Sequence, residues 1–295
     1  MTAVMAGSKR FVVYGTAGGV VYISHLDRTP ASPESIARLK GKITRLAISQ
    51  DGATIAALSF GGDLRVIRLP GGAHHDFQVS LMETNAALSL TPSGDRLALA
   101  VFDVYVIEVD AEKITTMPSN PPPDGGKTAY DAVVLTETGR LVAAALESVD
   151  IWDTRNPAAD MKAFSCPCSA SDVSLARDGE LAHFGTSDGH AVTVSTSSGK
   201  MLRDKTVSII PNDAVQAVAG LAEKLTVAGT NRNHLYIWSD DRKRVAWDAA
   251  LGEGNVTRIS TLAGGEAAIV ESQMSSSKES EWWIQPWLLL LNSHH

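Results

Sequence analysis

Apolar and polar residues alternate along nearly the whole chain in short runs, and clusters of Gly, Asp, Asn, Ser and Pro break the runs apart. A period of two predicts half-buried β-strands. Residues 43–81 show the pattern most fully. There the runs "ITRLAIS", "TIAALS", "DLRVIRL" and "DFQVSL" follow one another, with hairpin signals at Asp51-Gly52 and Gly61-Gly62. Four strands in sequence joined by tight turns predict one antiparallel meander.

The pattern recurs. The turns "MAGSKRFVVYG", "SQDGATIAALS", "TPSGDRLALAV", "TETGRLVAAAL", "ARDGELAHFGT", "GLAEKLTVAGT" and "LAGGEAAIVES" align on Gly7, Gly52, Gly94, Gly139, Gly179, Glu223 and Gly265. Their successive separations are 45, 42, 45, 40, 44 and 42 residues. A four-stranded meander with two apolar faces cannot cover both alone, so copies must stack, and radial closure leaves only short edges open. The expectation is an all-β chain, a seven-bladed β-propeller of four-stranded antiparallel blades. Its single domain spans residues 1–293, with blades near 1–40, 41–83, 84–120, 128–168, 169–211, 212–252 and 253–293. "TAVMA" reads as the first strand of blade one, which leaves "WLLLLN" (287–292) to supply the fourth strand of blade seven. His294 and His295 read as the remnant of a purification tag and are set aside.

The third run of each unit reads "GVVYISHLD", "DLRVIRLPG", "VYVIEVDA", "VDIWDTRN", "HAVTVSTSS", "HLYIWSDD" and "EWWIQPWL". Trp152-Asp153 and Trp238-Ser239 stand at one repeat position, held elsewhere by pairs such as Ile67-Arg68 and Ile107-Glu108. Trp247-Asp248 falls in a fourth run and is not counted with them. The fragments "FGTSDGHAVTVS" and "LTVAGTNRNHLYIWS" are similar to the small residue, Gly/Ser, Asp, Gly, apolar, Trp-Asp stretch of WD-repeat proteins. The chain thus resembles a divergent member of that WD40-like family over essentially its full length. One family feature is missing: no unit carries Gly-His before its first strand, and Gly189-His190 lies in a hairpin turn. The family's Asp–His–Ser/Thr–Trp network is therefore expected to be absent or incomplete.

Composition narrows the function. The 295 residues are 44% hydrophobic and carry a net charge of −7, with 26 Lys and Arg against 33 Asp and Glu. A core is affordable, whereas a phosphate-binding surface spread over the molecule is disfavoured, leaving room only for local basic patches. No basic segment followed by an apolar run opens the chain, so a cytoplasmic or nuclear location is expected. Cys166 and Cys168 in "SCPCS" are too close to bridge easily, and no second Cys/His pair follows at zinc spacing. "GGAHHD", with His74 and His75, reads as an exposed polar loop. Nucleophile-elbow, P-loop, HExxH and dinucleotide fingerprints are all missing, so no catalytic residues, metal or cofactor are expected.

Long loops are the remaining places for function. "MPSNPPPDGGK" (117–127) joins blades three and four and holds three consecutive prolines, a stiff spacer or a polyproline II ligand. "QMSSSKESE" (273–281) reads as a polar excursion between the second and third strands of blade seven. Adjacent Trp282 and Trp283 must face opposite sides of their strand, and with Trp287 they serve blade packing or anchor a partner. "DDRKR" (240–244) reads as a solvated turn. The resemblance implies that blade-joining loops and second-to-third-strand loops share one face, bringing 118–127, 166–169 and 274–280 together. Candidate partner-binding residues are Pro121, Pro122, Pro123, Asp124, Lys127, Ser276, Lys278, Trp282 and Trp283.

The resemblance implies a non-catalytic protein–protein interaction scaffold, a subunit of an intracellular complex. No small-molecule substrate, nucleic acid or direct membrane contact is expected. A second reading makes the chain the cytosolic propeller of a membrane-anchored GTPase exchange factor, "PWLLLL" opening a spanning helix. A channel hydrolase or lyase would instead need acidic and basic side chains converging near first-strand ends, and those strands read as mainly apolar.

Overall fold

In a computed structural model the description covers residues 4–7, 11–25, 33–79, 86–118, 128–145, 148–157, 161–165, 170–176, 179–206, 213–221, 225–239, 245–261, 267–276 and 279–290. The alternating runs become antiparallel strands throughout. The first sheet is β1 (Val4–Gly7), β2 (Phe11–Gly15), β3 (Val20–His25) and β4 (Glu34–Arg38). β5 (Ile43–Ile48), β6 (Thr54–Ser59), β7 (Asp63–Arg68) and β8 (His74–Gln78) form the second; β9 (Ala87–Leu90), β10 (Arg96–Ala100), β11 (Val104–Glu108) and β12 (Lys113–Met117) form the third. The fourth is β13 (Tyr130–Leu135), β14 (Arg140–Ala145), β15 (Ser148–Asp153) and β16 (Lys162–Ser165), and the fifth β17 (Ala170–Ala176), β18 (Leu181–Thr186), β19 (His190–Ser195) and β20 (Met201–Thr206). Then come β21 (Val215–Leu221), β22 (Leu225–Thr230), β23 (His234–Ser239) and β24 (Val245–Ala250), and finally β25 (Asn255–Thr261), β26 (Ala267–Ser276) and β27 (Glu279–Leu290). Among the described residues this makes six four-stranded sheets and one of three strands.

Two compact units divide the chain, residues 1–130 and 131–295. Within the first, consecutive sheets bury their faces on one another. Phe11, Val13, Val21 and Ile23 of the first sheet pack on Ile43, Leu46, Ile55 and Ala57 of the second. The second sheet's other face, Ala56, Leu58, Leu64 and Val66, meets Leu88, Leu97, Leu99 and Ile107 of the third. The second unit repeats the scheme: Val142, Ala144, Val149 and Ile151 meet Val173, Phe184, Val192 and Val194. Ala191 of the fifth sheet then meets Val215, Val218 and Tyr236 of the sixth, and Val227, Leu235 and Ile237 meet Val256, Ile259 and Val270 of the seventh. Each fully buried aliphatic side chain stabilises by about 2 kcal/mol relative to exposure. Since the second, fifth and sixth sheets are each covered on both faces, strands such as β6 are buried at all positions instead of alternating.

Close sheet-to-sheet approach is set by one small residue. A Cβ added to Gly15, Gly185 or Gly229 would overlap Ile43, Val215 or Val256, the β-branched residue that opens or nearly opens the next sheet. A bulge recurs beside that point: the register shifts between Ile43 and Arg45, Ala170 and Asp172, Val215 and Ala217, and Val256 and Arg258. One extra residue bends these four first strands at the same place.

Four expectations need correction. Residues 287–290 do not form a separate fourth strand of the last sheet; β27 runs unbroken, pairing Trp287 with Val270 and Leu290 with Ala267. Pro286, opposite Glu271, leaves it intact because β27 has one neighbour and a missing N–H is tolerated on an edge. The same pairing makes "PWLLL" strand, not the start of a helix. The polar run 273–281 is likewise mostly strand, since backbone pairing with aromatic-rich β27 carries β26 through to Ser276. His74 and His75 stand in β8, not a loop: the turn closes early, Arg68 N–H donating to Ala73 O at 2.8 Å.

Candidate partner-binding surface

Both ends of these sheets are built with one device, a Ser or Thr three residues ahead of a glycine. At turns between second and third strands, the hydroxyls of Thr16, Ser59, Thr186 and Thr230 accept the N–H of Val20, Asp63, His190 and His234 at 3.0, 3.2, 2.9 and 3.3 Å. Gly19, Gly62 and Gly189 each return an N–H to the carbonyl of that hydroxyl residue, at 3.1, 3.1 and 3.2 Å. At the opposite end, Ser49, Thr91 and Thr136 accept from Thr54, Arg96 and Arg140 at 2.8, 3.2 and 2.8 Å. A short hydroxyl side chain replaces a backbone acceptor and locks the turn. The glycine anchors were visible in the sequence; their hydroxyl partners were missed, although the spacing Ser/Thr-x-x-Gly was there to find.

At the sixth sheet Asn233 takes the glycine's place at φ 58°, a conformation asparagine tolerates better than most residues. Its side chain is fully buried and its Oδ1 accepts from Ser272 Oγ of the seventh sheet at 2.5 Å. The residue thus pins two sheets as well as turning the chain.

In the first unit these turns grip the loop that joins the first two sheets. Leu39 N–H donates to Gly19 O at 2.9 Å and Ile43 N–H to Thr16 O at 3.0 Å. From the other side Phe60 N–H donates to Lys42 O at 2.8 Å, and Lys40 N–H to Asp63 Oδ2 at 3.2 Å. Residues 39–43 are therefore fixed between two hairpin turns. The loop reads "RLKGKITR", and Arg38, Lys40 and Lys42 are exposed. None of the three has an acidic partner among the described residues. Arg38 makes only a long bond, 3.5 Å, to Gly18 O. Next to Lys42, Phe60 is 58% exposed at the turn tip. Of the acids on the second sheet, Asp63 accepts the Lys40 amide N–H, and Asp76 takes a two-pronged pair from Arg65 at 2.6 and 2.7 Å. The Arg65 hydrogen bonds hold the Asp76 carboxyl below its usual value and raise Arg65.

The opposite end of the second and third sheets is wired differently. Arg68 donates to Thr54 Oγ1 at 2.7 Å and reaches Asp110 at 3.0 Å and Asp95 at 3.3 Å. His75 lies 3.1 Å from Glu112 and 3.6 Å from Asp110. No group of three or more His, Cys, Asp or Glu among the described residues is placed to hold a metal ion. First-strand polar groups in the second unit serve the backbone: Asp172 Oδ2 accepts Val218 N–H at 2.9 Å, and Ser174 Oγ accepts Gly220 N–H at 3.2 Å.

Of the candidates read from the sequence, Pro121, Pro122, Pro123, Asp124, Lys127 and Lys278 lie outside the described residues, as do Cys166, Cys168 and 240–244. Ser276, Trp282 and Trp283 are in strands, Ser276 opposite Glu279, Trp282 opposite Ser275 and Trp283 opposite Met274, with their side chains outside the description. Trp152 is buried, as a repeat-position tryptophan should be, and Trp247 is exposed on a fourth strand. Asp153, after Trp152, is held down to about 2 by hydrogen bonds from Arg155.

No protein-family model matches this chain, and no curated protein sequence does. Solved structures do match over nearly its full length. U3-55K superposes with a TM-score of 0.78 at 14% identity, covering 98% of this chain and 94% of that one. The RRP9 WD40 repeats superpose with the same values. The Cps50 (Swd1) β-propeller domain of Myceliophteria thermophila gives 0.74 at 17% identity, covering 97% and 95%. The chain therefore has the fold of the WD40 β-propellers, built of four-stranded antiparallel blades. Its glycine-hydroxyl turns and bulged first strands are how this sequence makes such blades.

Proposed function

We propose that the chain is a non-catalytic scaffold, a subunit of an intracellular multiprotein assembly, its seven sheets closed into one ring over residues 1–293. The observation that carries this reading is the turn end of the first two sheets. Its backbone is pinned by hydrogen bonds, while among the described residues Arg38, Lys40 and Lys42 have no acidic partner and Phe60 is exposed. Rigid backbone with idle side chains suits recognition, because little order is lost on binding. Under this reading Pro121, Pro122, Pro123, Asp124, Lys127, Ser276, Lys278, Trp282 and Trp283 are further candidate contacts, and the partner is protein. The WD40 fold supports the reading without naming the assembly.

The test is affinity isolation of the intact chain from its own cells, with mass spectrometry and size-exclusion chromatography. The expected result is stoichiometric partners that co-elute, some lost when 118–127 is replaced by a short Gly-Ser turn while circular dichroism is unchanged. A chain that elutes alone overturns the scaffold reading.

A further inference from the structure

We infer that the loop 38–42 together with Phe60 is a docking site for a short acidic peptide segment bearing an apolar side chain. The inference rests on the scaffold reading and names the chemistry of its partner. Three features meet here. Arg38, Lys40 and Lys42 bring three exposed cations into five residues, with no ion pair to offset them among the described residues. Four backbone hydrogen bonds, from Leu39, Lys40, Ile43 and Phe60, hold the platform in place before anything binds. Phe60, backbone-bonded to Lys42 and 58% exposed, supplies a ring where the peptide's apolar side chain can pack.

Phe60 alone would mean little, since single exposed apolar residues are ordinary. Beside three cations with no acidic partner among the described residues, on a loop held by four hydrogen bonds from its own and Phe60's N–H groups, it forms a two-part recognition element. Gly41 contributes as well: at φ 83° it turns the chain between the two lysines, with nothing within 4 Å of where a Cβ would stand. That open space lets a peptide backbone come close.

Charge selects an acidic peptide over a nucleic acid. The whole chain carries −7, and charge is screened over about 8 Å in physiological salt. A short acidic segment stays within the field of the three cations. A long polyanion would run past them onto an acidic surface, with phosphate contacts too few for tight binding. Asp63 and Asp76 border the site but are tied to Lys40 N–H and Arg65.

The experiment uses the intact chain and a short fluorescein-labelled peptide in which aspartates and glutamates flank one tryptophan, read by fluorescence anisotropy. Saturable binding is expected, weakening with added salt and missing for the Asn/Gln version of the peptide. The double variant K40E/K42E should weaken it roughly tenfold or more, and Phe60→Ala severalfold. Lys113→Glu, removing an exposed lysine paired with Glu108 elsewhere, should not change it. Unchanged melting temperatures show that the variants fold. No saturable binding, equal binding by K40E/K42E, or displacement of the peptide by a lower concentration of poly(U) overturns the proposal, the last in favour of nucleic acid. Partners that co-purify equally with all variants would sink this site and leave the scaffold standing. A wild-type chain that isolates alone sinks the scaffold whatever the titration shows.

Discussion

The two ends of the second sheet use the same turns and spend their charges differently. At one end Ser59 and Gly62 close the turn, and the neighbouring cations Arg38, Lys40 and Lys42 have no acidic partner among the described residues. At the other, Ser49 and Gly52 close it, and Arg68 is tied to Thr54, Asp95 and Asp110. One end is wired to itself and the other is left open. Identical folding chemistry thus says nothing about function; the disposition of charge around the turn does.

Variants should break this contrast in order of size. Gly19→Ala should cost about 3 kcal/mol, combining positive-φ strain with collision against the carbonyls of Leu39 and Gly41. Gly41→Ala, at a similar φ but in open space, should cost only about 1 kcal/mol. Urea denaturation of the pair checks this, and equal losses would mean that the turn does not grip the loop. Arg68→Ala should lower stability by about 1 kcal/mol and leave peptide binding unchanged, its side chain being 24% exposed and wholly engaged within the fold. K40E/K42E should do the reverse, changing stability by less than about 0.5 kcal/mol while abolishing most of the binding. If both pairs of readouts moved together, the two ends would not be functionally distinct. Thr91→Val, which deletes a turn hydroxyl at the wired end, should cost about 1 kcal/mol in the same assay.

The smallest effect is in pH. Asp153 and Asp76 titrate below their ordinary values because Arg155 and Arg65 hydrogen-bond their charged forms. Their contribution is complete above the unfolded value, about 4, and fades as pH falls through it toward about 2 for Asp153. Stability measured from neutral to acid pH should show Asp153→Asn losing its disadvantage across that window. A gap that persisted at the acid end would exclude the ion pair as its source.

Much of the fold was legible because its physics is local. Glycines at 52, 94, 139 and 179, all at positive φ, mark turns that few other residues permit, and their spacing announces the repeat. The edges of that reading failed where pairing overrode local preference. Residues 273–276 look like loop and 287–290 like a strand of their own, yet β26 and β27 draw them into one ladder. The candidate site was less legible still. Proline and tryptophan clusters stood out by composition, whereas Lys40, Lys42 and Phe60 lie in separate runs with nothing unusual about either.

Alternation and turn residues therefore determined the strands, their number per blade and the repeat, because each depends on neighbours a few positions apart. Tertiary structure decided the rest. Only the hydrogen bonds from Leu39, Lys40, Ile43 and Phe60 bring the loop and the turn side by side. Only the places of Asp76, Asp95 and Asp110 give Arg65 and Arg68 their acidic partners while, among the described residues, Arg38, Lys40 and Lys42 have none. Charge pairing acts across space between residues far apart in the chain, so it cannot be counted along a sequence.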